Sequence, residues 1–92
     1  MVAAVVQIPG TLSQYCGGRS EFPVAAANVR AALAELERSH PSLYPNLCDE
    51  TGAVRRHLNV FVNATHVRDL RGLDTELEQG DVMTILAAVS GG

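Results

Sequence analysis

Two cysteines, three histidines and a closing Val89-Ser90-Gly91-Gly92 are the parts of this 92-residue chain whose residue types could do chemistry. Cys16 and Cys48 are far apart and form no C-x-x-C unit, so they read as free thiols. With His40, His57 and His66 they include the atom types that bind zinc, but no spacing among them is that of a ligand pair. No metal site is expected, and the histidines read as surface or turn residues. Asp49-Glu50, Glu76 and Glu78 read as solvated loop and cap residues, and Arg55-Arg56-His57 as a solvated loop end. There is no G-x-S-x-G, no H-E-x-x-H and no phosphate loop. All seven basic residues are arginine, and lysine is absent. That excludes Schiff-base catalysis and leaves no side-chain amine to accept an acyl group.

The closing residues are different. Glycine at positions 91 and 92 removes Cβ bulk beside the last carbonyl carbon and lets the backbone take any angle through a narrow channel. Residues 87–92, if extended at ~3.3 Å each, reach ~20 Å, far enough to place a terminal carboxylate inside another protein's active site. Such a carboxylate is a substrate for adenylation by ATP, and the acyl-adenylate is open to attack by sulfur or nitrogen. Alone, a Gly-Gly pair is a weak signal, since Gly17-Gly18 repeats it internally. A frayed end without a role is the plain alternative.

The elements that would carry this end follow from pattern. Met1–Ile8 is Val-rich and closed by Pro9-Gly10, which predicts a strand. After the Gly17-Gly18 loop, Arg19–Val24 predicts a second strand and an antiparallel hairpin with the first. Ala25–Ser39 predicts the one clear helix: Val29, Leu33 and Leu36 share a stripe, Asn28 is a candidate N-cap and Pro41 stops it. Leu43, Tyr44 and Leu47 pin the following connection as one helical turn. Leu58–Asn63 predicts a strand with Val60 and Val62 on one face, and a short strand follows around Val67. Thr75-Glu76-Leu77-Glu78 has capping-box spacing and predicts a helical turn before Asp81. Val82–Val89 is the final strand, with Met83 and Ile85 on one face. The first and last strands are the most apolar and should form the central pair.

One helix cannot cover both faces of a sheet. The expected class is therefore α+β, a mixed sheet of four to five strands curled around one main helix, in the order of the β-grasp or ubiquitin-like fold. The expected division is a domain over 1–86 and a flexible tail over 87–92. Composition agrees with one small soluble domain: 47% hydrophobic, 18% charged, net charge −3. A mildly acidic chain is a poor match for nucleic acid. No apolar run approaches the ~18 residues of a membrane span, and Met1–Val6 has no basic leader region. Neither a nucleic-acid nor a membrane partner is expected, and the expected location is cytoplasmic.

On several stretches the chain resembles the MoaD/ThiS family of ubiquitin-like sulfur-carrier proteins, most closely its CysO-type branch. These are Leu58-Asn59-Val60-Phe61-Val62-Asn63, His66-Val67-Arg68, Thr75 to Asp81, and Thr84 to Gly92. The Gly80-Asp81 step and the Val89-x-Gly-Gly end are its strongest marks. The chain departs from the family pattern at Ala87, where a proline is usual, and at Ala64, where glycine is frequent. The resemblance implies a carrier rather than an enzyme, with no bound cofactor. Gly92 would be adenylated by a ThiF/MoeB-type activating enzyme using ATP, then converted with a sulfur donor to a thiocarboxylate. Gly91, Ser90 and Val89 would be the tail needed for activation. The sulfur would pass to a downstream biosynthetic enzyme, for cysteine synthesis or a specialised sulfur-containing metabolite. The small subunit of molybdopterin synthase and a ubiquitin-like protein modifier are the alternative readings.

Overall fold

The computed structural model describes residues 2–87. Strand β1 (Val2–Gln7) runs antiparallel to β2 (Glu21–Ala26) with Val2 opposite Ala26 and Gln7 opposite Glu21. Helix α1 (Val29–Ser39) and the short α2 (Tyr44–Leu47) follow. Then come β3 (Leu58–Val62), β4 (Thr65–His66) and β5 (Val82–Ala87). The sheet order is β2-β1-β5-β3-β4, with β1 and β5 parallel and the other pairs antiparallel. This is the expected β-grasp, with the first and last strands adjacent at its centre.

One layer of apolar side chains joins the helix to the sheet. Val29, Leu33 and Leu36 of α1 are buried in the same core as Val60, Val62, Met83 and Ile85, as the two periodicities require. Leu43 and Leu47, just before and within α2, belong to the same core, and both are buried.

The local predictions needed four corrections. β2 extends to Ala26, so Ala25 and Ala26 belong to the sheet and the helix begins only at Val29. Asn28 sets that start: its side chain accepts the Ala31 N–H at 2.8 Å. The loop before β2 contains a 3₁₀ helix over Gly10–Cys16, ended by Gly17 in the left-handed region at φ 63°. The short strand is Thr65–His66, and Val67 already opens a 3₁₀ turn.

The fourth correction is the largest, because no helical turn forms at Thr75–Glu78. The Thr75 hydroxyl donates to the Gly72 carbonyl at 2.7 Å and accepts the Arg71 N–H at 3.0 Å, capping a 3₁₀ turn that lies before it. The backbone on either side is extended, with Thr75 O accepting from Val29 N and Leu77 N donating to Ala27 O. Pairing with the chain ahead of α1 outbids a single helical turn, whose few hydrogen bonds cannot cover its nucleation cost.

Candidate functional site

The candidate reactive residues Val89, Ser90, Gly91 and Gly92 lie outside the described residues. What the structure describes is the strand that leads to them. β5 lies between β1 and β3, but the two neighbours cover different lengths of it. β1 pairs only from Val5 opposite Val82 to Gln7 opposite Thr84. Pro9, which has no N–H, follows, and the chain turns away into the 3₁₀ helix. β3 continues alongside β5 until Leu58 meets Ala87. The last residues of β5 therefore run past the end of β1, with no strand among the described residues pairing on that side beyond Thr84, and Leu86 on the outer face is 47% exposed. Ala87, which the sequence reading put both in the final strand and at the start of the tail, pairs with Leu58.

The root of β5 is held from both sides. Asn63, in the left-handed region at φ 54°, donates its backbone N–H to Val82 O at 2.7 Å and accepts the Val82 N–H on its side-chain oxygen at 3.1 Å. Its side-chain amide donates to Asp81 Oδ1 at 3.1 Å, and Asp81 Oδ2 accepts the Glu78 N–H at 2.8 Å. On the β1 side, Asp81 O accepts from Val5 N and Ala3 O accepts from Gly80 N, both at 2.9 Å. Gly80 has φ 88°, where a side chain would be strained. The Gly80-Asp81 step is thus the bend that starts β5 in register between its neighbours, a role that sequence spacing alone did not reveal.

The other chemistry-bearing residues are structural. Cys16 and Cys48 are buried free thiols, and burial pushes both above the ordinary thiol range. Neither is a poised thiolate. His66 accepts the Arg68 N–H on Nδ1 at 3.1 Å, so its Nε2–H donates to Asn59 Oδ1 at 3.0 Å; its ring meets Phe61 edge-on. His40 stacks on Phe22 with centroids 4.6 Å apart. Among the described residues no three His, Cys, Asp or Glu side chains gather as a metal site would need, and no helix is long and apolar enough to cross a membrane.

Sequence reasoning missed Asp49. Its Oδ1 accepts the N–H groups of Thr51 at 2.8 Å and Ala53 at 3.2 Å, and also takes the Thr51 hydroxyl. Those bonds, the hydroxyl's first, hold the carboxyl below its ordinary range. The Asp-x-Thr spacing of such a turn was legible. This turn sets the loop from which Arg55, Arg56 and His57 enter β3, and Arg55 Nε donates to Pro45 O at 2.6 Å.

A family model described as the ThiS family matches residues 6–92. The chain belongs to the ThiS family. The sulfur carrier protein CysO of Mycobacterium tuberculosis is 34% identical over 89 residues, spanning 95% of this chain and 96% of the relative. A chain in the crystal structure of the Amycolatopsis orientalis BexX/CysO complex superposes with a TM-score of 0.86 at 35% identity, over 97% of this chain and 99% of that one. The small archaeal modifier protein 1 of Methanosarcina acetivorans gives 0.87 at 26% identity, over 100% and 98%. This ThiS-family chain is thus homologous to sulfur carrier proteins over nearly its whole length.

Proposed function

We propose that this chain is a sulfur carrier whose reacting group is the Gly92 carboxylate. The observation that carries the reading is the continuity of the family match from the β-grasp through residue 92, on a β5 strand that outruns its β1 neighbour. In the proposed sequence a carboxylate oxygen attacks the α-phosphorus of ATP and pyrophosphate leaves. A sulfide-level sulfur nucleophile then adds to the acyl carbon and expels AMP, leaving a thiocarboxylate. Gly91, Ser90 and Val89 carry the carboxylate into a ThiF/MoeB-type activating enzyme, where a residue without Cβ passes most easily. The chain itself catalyses nothing. It serves as co-substrate of that enzyme and of a downstream sulfur-accepting enzyme, in the cytoplasm where ATP is available; ATP and the sulfur donor belong to the activating step, and no cofactor is held here. Cysteine synthesis or a specialised sulfur-containing metabolite is the proposed destination.

The test is a mass spectrum of the chain isolated from cells alongside ATP–pyrophosphate exchange with the activating enzyme. The expected product is heavier by the difference between sulfur and oxygen, localised to Gly92. Deleting Gly92 shortens the reach by ~3.3 Å and should abolish exchange, since a misplacement of ~1 Å can cost ~100-fold. Exchange at the full-length rate by the shortened chain would refute the assignment.

The likeness to an archaeal modifier protein favours one second reading, conjugation of Gly92 to amines of other proteins. Lacking lysine, this chain could not build side-chain-linked polymers of itself. Gly92 isopeptides on other cellular proteins, in place of the thiocarboxylate, would select that reading.

A further inference from the structure

Against β3, one strand from the end of β5, lies a cleft of about 370 Å³ that is open along one side, within the ~300–1,000 Å³ range of binding clefts. Its walls are mainly apolar, with Leu58, Val67 and Leu73 among them, and Arg55, Arg56 and Arg68 stand at its rim. No carboxylate lines it. Among the described residues the only ion pairs within 4 Å are Arg30–Asp74 and Arg38–Glu35; Arg55 lies in the field of Asp49, while Arg56 and Arg68 have no carboxylate partner there. Three of seven arginines thus collect around one apolar hollow in a chain whose ten acidic residues outnumber its basic ones. Leu58 belongs both to this cleft and to the pair with Ala87 that ends β5. An enzyme that grips the strand at Ala87 is therefore one strand away from the cleft.

We propose that this cleft docks an acidic, leucine-bearing segment of the enzyme that takes up the Gly92 end, an inference that rests on the carrier reading. An aliphatic side chain fills the hollow, and flanking carboxylates pair with Arg56 and Arg68. Apolar burial supplies the hold, and the arginine rim supplies orientation and selection against basic segments. Arg55 contributes charge, but its Nε is already engaged with Pro45 O. Each exposed pair is weak alone and is screened over ~8 Å at physiological ionic strength, so binding should weaken as salt is raised.

The probe is a synthetic twelve-residue peptide with leucine at every fourth position and glutamate between, titrated into the isotope-labelled full chain while amide shifts are followed. The expected shifts fall on Leu58, Val67, Gly72 and Leu73. R56E/R68E should weaken binding at least tenfold with unchanged thermal unfolding, and should instead take up the peptide carrying lysine for glutamate. A peptide with serine for leucine should not bind. Three results overturn the proposal: no binding, equal binding of the lysine peptide to the unaltered chain, or shifts confined to the outer sheet face at Val5, Phe61 and Leu86. A fourth is binding that strengthens severalfold when residues 88–92 are removed, which assigns the cleft to this chain's own end. Deleting Gly92 alone should leave peptide binding intact while removing the thiocarboxylate, so failure of the cleft and failure of the carrier reading are read in different assays.

Discussion

Leu33→Ala separates what holds the fold from what carries the reaction. Leu33 is 3% exposed and sits on the α1 stripe between Val29 and Leu36, both fully buried. Cutting it to alanine removes three carbons, about 2.4 kcal/mol of transfer free energy at ~0.8 kcal/mol each. The cavity left behind adds to this, because α1 is packed against β2 and cannot collapse freely. Leucine-to-alanine changes in cores cost ~2–5 kcal/mol, and about 3 kcal/mol is expected here. A domain of this length holds ~5–14 kcal/mol in all, so the variant stays folded at room temperature. At ~4–8 °C per kcal/mol, its midpoint should fall by about 12–24 °C. Urea unfolding followed by circular dichroism measures the loss directly, with an unchanged denaturant slope showing that both end states are comparable. Well below the lowered midpoint, thiocarboxylate formation should proceed at the unaltered rate, because Leu33 touches nothing an enzyme could reach. A loss under ~0.5 kcal/mol, the ordinary surface value, would mean that Leu33 faces solvent and that the packing argument is wrong.

Asn28→Ala should cost ~1 kcal/mol by removing the acceptor for the Ala31 N–H, and Asn28→Ser should recover most of it; equal unfolding midpoints for all three chains would deny the cap. Asp49→Asn tests the loop: the native carboxyl titrates below its ordinary range, so the stability it lends is present above that range and lost as pH falls through its folded value. Melting at pH 7 should show the variant less stable and the gap should close on acidification; a gap that widens in acid would contradict the sign. Burial raises both thiols, so a thiolate-specific reagent at pH 8 should label neither cysteine quickly in the folded chain, with Cys16 (8% exposed) ahead of Cys48 (1% exposed), and both at once in urea. Prompt labelling of Cys48 in the folded protein would show that its pocket opens.

Much of the fold was legible because some elements state their partners in their own periodicity. The alternation of Leu58, Val60 and Val62 and the stripe of Val29, Leu33 and Leu36 each mark a face that must be covered. Gly10–Cys16 reads only as loop, since Leu12 and Cys16 are its only residues packed on the core and two anchors make no helical stripe. Thr75–Glu78 was misread for the opposite reason. Its spacing satisfies a local rule, but the Thr75 hydroxyl and the Leu77 N–H had better partners in a 3₁₀ turn and in the chain before α1.

By itself the sequence determined the β-grasp order, the two faces that make the core, the family marks at Gly80-Asp81 and Gly91-Gly92, and the absence of any lysine. These are local properties, written in residue type and in spacings of two, three and four. Only the tertiary structure decided that β5 outruns β1, that Asn63 and Asp81 together set its root, and that Arg55, Arg56 and Arg68 surround one hollow against β3, one strand from its end. Strand register and long-range packing bring together residues far apart in the chain. No short-range pattern encodes a contact whose two halves are shaped by different segments.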